Sequence, residues 1–263
     1  YLEHRLTPSI GDGAGLAAWQ PYGAPFHLEI DTGMGRAGIR WDAAVQLREA
    51  VDLLGRMPHW EGVFTHFHSA DTDALATHTQ WARFQDALGV LPPRPAFVHV
   101  ANSAAALTDP QYALDLVRPG IFLYGGAAGP VRAMPVARLS AVVIALRALP
   151  RGEPVSYGAT WRASQDTRVA TLAIGYADGV PRSLSSRGFV ELNGSRCPIV
   201  GRVTMDMTVV EVGTMPVQVG DVAVVYGGLV SLDEQARAAE SISYELLTRI
   251  GRRIPRHHHV AQA

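Results

Sequence analysis

The chain has 263 residues, a formal net charge of -1 and a pI near 6.9, with 48% hydrophobic and 18% charged residues. That balance excludes both the strongly basic surface that nucleic acid or an anionic membrane calls for and the composition of a disordered chain. One cysteine, Cys197, allows no intrachain disulfide framework, no apolar run reaches membrane-spanning length, and every basic residue other than histidine is arginine, so the chain holds no lysine.

The opening "YLEHRLTPSI" lacks the pattern of a signal peptide, and because it starts on Tyr1 an upstream portion is expected. Residues 26–30, "FHLEI", alternate in polarity, which predicts a half-buried strand with Phe26, Leu28 and Ile30 on one side and His27, Glu29 and Asp31 on the other. In "DTGMGRAG" the glycines allow a tight path and Arg36 offers a planar, multidentate contact; a structural turn with an exposed arginine is the plain alternative. "WDAAVQLREAVDLLGRM" has helical spacing, "EGVFTHFHSAD" is strand-like, "ATHTQWARFQDALGVL" is helical, "RPAFVHVANSAA" returns to strand, and "DLVRPGIFLYG" supplies another strand and a turn.

Such repeats predict an α/β unit with a parallel sheet, and a parallel barrel builds its site at the carboxyl ends of its strands. His66 and His68 stand at one such end without a complete metal-ligand set. His99, Asn102 and Ser103 form a second polar rim, and Arg118 precedes Gly120 and Ile121, whose N–H groups could bind phosphate if they converge. A packed histidine and an ordinary glycine turn explain these two segments equally simply.

The pattern changes after residue 130. "LSAVVIALRAL", "TRVATLAIGY", "GFVELNGSRCPIVG", "DMTVVEVG" and "GDVAVVYGG" are short, valine-rich and divided by Gly, Pro and Asn turns, which predicts a β-rich domain. "SLDEQARAAESISYELLTRIG" closes it as a helix, with Ser231 and Glu234 spaced as a capping box. Tyr176 in "IGYADG" and Met205 in "GRVTMDM" lie at turns, and each by itself reads as a packing residue.

In this order, "LEIDTGMGRAG", "GVFTHFHSAD", "HVANSAA", "LVRPGIFLYG", "VSYGATW", "IGYADGVPR", "GRVTMDM" and "SYELLTRIGRRIPR" resemble the pyridoxal-phosphate-dependent alanine racemase family. The resemblance runs from about residue 26 to residue 256. It implies a partial (β/α)8 TIM barrel over residues 1–130, the C-terminal portion of a cofactor-binding barrel, followed by the family's C-terminal β domain over 131–263. It further implies an isomerase that interconverts L-alanine and D-alanine by proton transfer between two bases, working as a cytoplasmic homodimer with shared active sites. The family's Schiff-base lysine lies on a first barrel strand that has no counterpart here, so the chain alone is expected to be inactive. A non-catalytic cofactor-binding or interaction homologue is the alternative, and a decarboxylase on a related barrel fits the motifs poorly.

The resemblance also implies residue roles. Tyr176 is similar to the second catalytic base, contributed across the dimer interface. Arg118 looks like the arginine facing the pyridine nitrogen, and His66 the residue packed near the ring and linked to it. Ser103, Gly120, Ile121 and Tyr244 match the phosphate cradle, with Asn102 in support. Arg36 corresponds to the arginine near the cofactor's phenolic oxygen and the substrate carboxylate, and Met205, through its backbone N–H from the partner subunit, to a carboxylate contact. Glu29 stands where many members carry a carbamylated lysine, so a direct Glu29 to Arg36 pairing is expected to replace the carbamate.

Overall fold

A computed structural model describes residues 1–259, which divide into two compact units. Residues 1–122 and 128–132 make the first, and 123–127 together with the remainder make the second.

In the first unit β1 (Ser9–Ile10) leads to α1 (Gly13–Trp19), whose N-terminus is capped by Asp12 accepting from the Gly15 N–H at 2.6 Å. Then come β2 (Phe26–Asp31), β3 (Ile39–Arg40), α2 (Ala44–Leu54), β4 (Trp60–Phe64), α3 (Ala74–Val90), β5 (Phe97–His99) and α4 (Ser103–Thr108). The strands pair in parallel in the order β1-β2-β4-β5, with β3 joined to β2. This is the parallel sheet that the alternation of strand and helix implies, an arc of a barrel.

Local chemistry sets the helix limits. Asp73 caps α3 by accepting from Ala76 N–H at 2.9 Å, and the helix stops at Leu91, which is extended ahead of Pro92. On α2, Leu47, Ala50 and Leu54 fall on one stripe and are buried. Along β2, Phe26, Leu28 and Ile30 are fully buried in the core, whereas His27, Glu29 and Asp31 take the other face.

The expected strand in "DLVRPGIFLYG" does not form. Only an isolated bridge between Asn102 and Arg118 remains of it, followed by a 3-10 turn over Ile121–Tyr124. Pro119 cannot donate to a ladder, so the segment turns immediately beyond Arg118.

The second unit contains β6 (Leu139–Leu149), β7 (Pro154–Val155), β8 (Trp161–Arg162), β9 (Thr167–Leu172), β10 (Phe189–Leu192), β11 (Ser195–Pro198), β12 (Thr208–Glu211), β13 (Val222–Tyr226), α5 (Leu232–Ala238) and α6 (Ser243–Thr248). Its six-stranded antiparallel sheet runs β11-β10-β13-β6-β9-β12. The two edges approach through the Ile199–Val210 bridge, so the sheet curls around its own apolar core, with Leu172, Val190 and Leu192 fully buried.

The single closing helix becomes two. The chain breaks after α5 at Glu240, which takes φ 53°, and α6 starts anew at Ser243. Half of the capping box forms: Ser231 Oγ accepts from Glu234 N–H at 3.1 Å, but the Glu234 carboxylate turns to Arg196. Among the described residues no helix is long and apolar enough to cross a membrane.

Candidate functional site

In the first unit the polar groups converge on Arg118. Its guanidinium donates to Thr65 O at 2.9 Å, Val100 O at 3.3 Å and His66 Nδ1 at 3.3 Å, and also to His99 Nδ1. It packs over the Phe64 ring at 5.1 Å, and His99 stacks on the same ring at 4.9 Å. Burial lowers the Arg118 pKa to about 10, with the Glu29 charge opposing the shift, so the group remains a cation at neutral pH.

That cation fixes the tautomers behind it. A guanidinium only donates, so His99 Nδ1 must accept and the His99 proton sits on Nε2. His99 Nε2 meets His27 Nδ1 at 2.8 Å, so His27 accepts there and carries its proton on Nε2, 3.4 Å from Glu61. Gly62 makes room for this row: a Cβ on it would come within 2.6 Å of the His27 ring. Burial first, then the Arg118 charge, pushes His99 down to about 3, and the same two causes with Arg36 lower His66. Both imidazoles are therefore neutral at pH 7.

Beside this network, Asn102 caps α4 by accepting from Ala105 N–H at 3.0 Å. Arg118 N–H donates to Ala101 O at 2.8 Å, which brings the next turn against the buried Ser103 hydroxyl. Ser103 Oγ accepts from Gly120 N–H at 2.7 Å, and Ile121 begins the following turn from a buried position. No neighbour lies within 4 Å of the place where a Gly120 Cβ would stand, so open space adjoins this turn.

Arg36 is exposed in a loop folded by Asp31, whose Oδ1 accepts from Gly33 N–H at 2.9 Å and Gly35 N–H at 3.1 Å. The expected Glu29 to Arg36 ion pair is absent among the described residues. Glu29 instead accepts from Ser9 Oγ at 3.3 Å and contributes its charge toward Arg118. Strand phase does place Glu29 on the polar face, but the loop owes its shape to Asp31 rather than to a Glu29 contact.

In the second unit two separate turns are joined by their backbones. Tyr176 N–H donates to Thr204 O at 2.9 Å and Ala177 N–H to Met205 O at 3.0 Å. The Tyr176 ring and Met205 are both exposed, and no hydrogen bond uses the Met205 N–H among the described residues. Tyr244 lies on α6 with its side chain about half exposed.

The model of the alanine racemase N-terminal domain matches residues 1–128, and that of the alanine racemase C-terminal domain matches residues 136–258. An alanine racemase of Chlorobaculum tepidum is 38% identical over 272 residues, covering 97% of this chain and 71% of that protein. The chain belongs to the alanine racemase family.

Solved structures of the family agree with that assignment. The alanine racemase of Streptomyces coelicolor superposes with a TM-score of 0.89 at 33% identity, covering 97% of this chain and 73% of that one. That of Bartonella henselae, described with covalently bound pyridoxal phosphate, gives 0.86 at 28% identity over 95% of this chain and 72% of its own. Across several of the curated alanine racemases it matches, the chain spans from 61% to 71% of their length.

The sequence motifs of the alanine racemase family thus fall into two groups, Arg118 with His66, Asn102, Ser103, Gly120 and Ile121 in one unit, and Tyr176 with Met205 in the other. Sequence reading missed His27 as the far end of the imidazole row, though its strand phase pointed it the right way. It also missed Gln80, buried on α3, whose amide accepts from His68 N–H at 3.0 Å and donates to His66 O at 3.1 Å and Thr32 Oγ1 at 3.2 Å. A polar residue on the apolar stripe of a helix was the available signal.

Proposed function

We propose that these 263 residues supply much of the cofactor site and the second base of an enzyme that interconverts L-alanine and D-alanine with pyridoxal 5'-phosphate. The observation that carries this reading is the half-buried Arg118 cation, backed by the neutral His99 and His66, in a chain of the alanine racemase family. The residues of the first unit fit the cofactor: the Arg118 cation for its ring nitrogen, and the Ser103 hydroxyl with the Gly120 and Ile121 turn beside open space for its phosphate; the family resemblance adds Tyr244 to the phosphate contacts. When bound, pyridoxal phosphate supplies a sink for the electron pair left when the α-proton departs.

The residues of the chain do the rest. Arg118 holds positive charge against the ring nitrogen and so disfavours its protonation. His66 steadies Arg118 from the side, and Asn102 keeps the Ser103 turn in place. Tyr176 Oη takes or returns the α-proton on one face of the substrate. Arg36 of one protomer and the Met205 N–H contributed by the other hold the carboxylate, which orients the α-carbon toward the Tyr176 that comes with that Met205. Small amino acids, chiefly alanine, are the substrates, and the active enzyme is a cytoplasmic homodimer whose protomers share each site.

A cofactor-linked amine and a base on the opposite face are also required, and with no lysine among the 263 residues these must come from elsewhere. The chain by itself is therefore expected to be inactive. The test is to incubate the full-length protein, with added cofactor, with L-alanine and with D-alanine, and to quantify the enantiomers. Conversion in both directions, lost in Tyr176→Phe, is expected. A folded, cofactor-loaded dimer that converts neither would leave the reading of a non-catalytic homologue.

A further inference from the structure

Tyr176 and Met205 belong to different turns, yet the reaction couples them tightly. A substrate carboxylate is bonded directly to the α-carbon, so the group that grips the carboxylate and the group that reaches the α-hydrogen need a constant spacing. A misplacement of about 1 Å costs on the order of 10²-fold in rate. Two backbone hydrogen bonds join the turns, as described above, and backbone contact is so close that a Cβ on Gly175 would lie 2.3 Å from Thr204 O.

A charged clamp lies behind them. Asp178 is buried, and both of its oxygens are engaged: Oδ2 accepts from Gly175 N–H at 2.9 Å and Oδ1 from Arg253 Nε at 2.6 Å. The other face of the Arg253 guanidinium donates to Asp206 Oδ1. One planar group thus ties the residue two after Tyr176 to the residue immediately after Met205, from a segment beyond α6. Burial alone pushes the Asp178 carboxyl up, but the bonds from Arg253 and Gly175 outweigh it and hold it below the usual range. The fork geometry is what allows both carboxylates to be held at once, which a single ammonium point charge does less well.

We propose that Arg253 is a positioning residue that locks the Tyr176 turn to the Met205 turn and so sets the spacing between the second base and the carboxylate contact. The assignment of those two roles rests on the proposed racemase function, whereas the lock itself does not.

The test measures amide hydrogen exchange and kinetics in the full-length protein. In Arg253→Met, exchange at Tyr176 and Ala177 is expected to speed up by at least about tenfold while amides of β9 and β12 are unchanged, with Arg253→Lys falling between. Asp206→Asn, at an exposed side chain that leaves Asp178 paired, repeats the measurement should Arg253→Met fold poorly, with a smaller rise expected. In the same variants kcat is expected to fall and KM for alanine to rise together, by on the order of 10²-fold in kcat/KM for Arg253→Met. Unchanged exchange at both amides in both variants overturns the lock, and faster exchange with wild-type kcat and KM overturns its role in positioning. A wild-type protein that does not racemise alanine while its variants lose protection refutes the functional reading and the positioning role but upholds the lock.

Discussion

His99 offers a test of the buried network through its titration. Folded, its pKa lies at about 3, whereas an unfolded chain titrates the same imidazole near 6.5. Between those values the unfolded state binds more protons, so stability is complete above about pH 6.5 and falls as pH is lowered toward 3. The slope from one such group is at most about 1.4 kcal/mol per pH unit, or up to about 2 kcal/mol between pH 6.5 and pH 5. That interval lies above the range where most carboxylates take up protons. His99→Gln removes the titration and keeps a donor toward His27, while the contact it loses with Arg118 changes stability by an amount nearly independent of pH in this window. Urea unfolding followed by tryptophan fluorescence suits the measurement, since Trp19, Trp41, Trp60 and Trp81 all belong to the first unit. The wild type is expected to lose more stability than His99→Gln on going from pH 6.5 to pH 5. Equal losses in the two proteins would refute the assignment of His99 as a neutral, buried acceptor for Arg118.

Two further outcomes follow from close packing and buried polarity. Gly175→Ala places a methyl 2.3 Å from Thr204 O and 2.4 Å from Met205 O, where carbon and oxygen normally keep roughly 3.3 Å apart, so the turns must part by about 1 Å. A fall in kcat/KM on the order of 10²-fold is expected in steady-state assays of the full-length protein, and a wild-type value would contradict the rigid join. Gln80→Leu strands His68 N–H and His66 O in a part-buried setting and leaves Thr32 Oγ1 with only Thr65 Oγ1, at 2.8 Å, which should lower stability by about 2–4 kcal/mol in urea titrations. A loss under about 1 kcal/mol would mean that water replaces the amide without difficulty.

Much of the fold was legible because period carries it. The alternation in "FHLEI" fixed the two faces of β2, and the apolar stripe of "WDAAVQLREAVDLLGRM" marked α2. Local pattern failed where a single residue changed the backbone: Pro119 ended the strand expected around Arg118, and Glu240 in the left-handed region split the closing helix. The candidate residues were legible as motifs, but their partners were not. Glu29 was assigned to Arg36 from its strand phase and the family resemblance, although Ser9, twenty residues earlier, takes its carboxylate.

By itself the sequence determined which side of β2 faces the core, which turns carry the family motifs, and that no lysine is present. Those properties depend on residue identity and short-range periodicity. Only the tertiary structure decided that Arg118 rests on His99 and His27, and that Arg253 bridges Asp178 and Asp206. Such contacts join residues up to 75 positions apart, and their geometry is set by strand register, close backbone approach and the desolvation of charge, none of which is encoded within a local window.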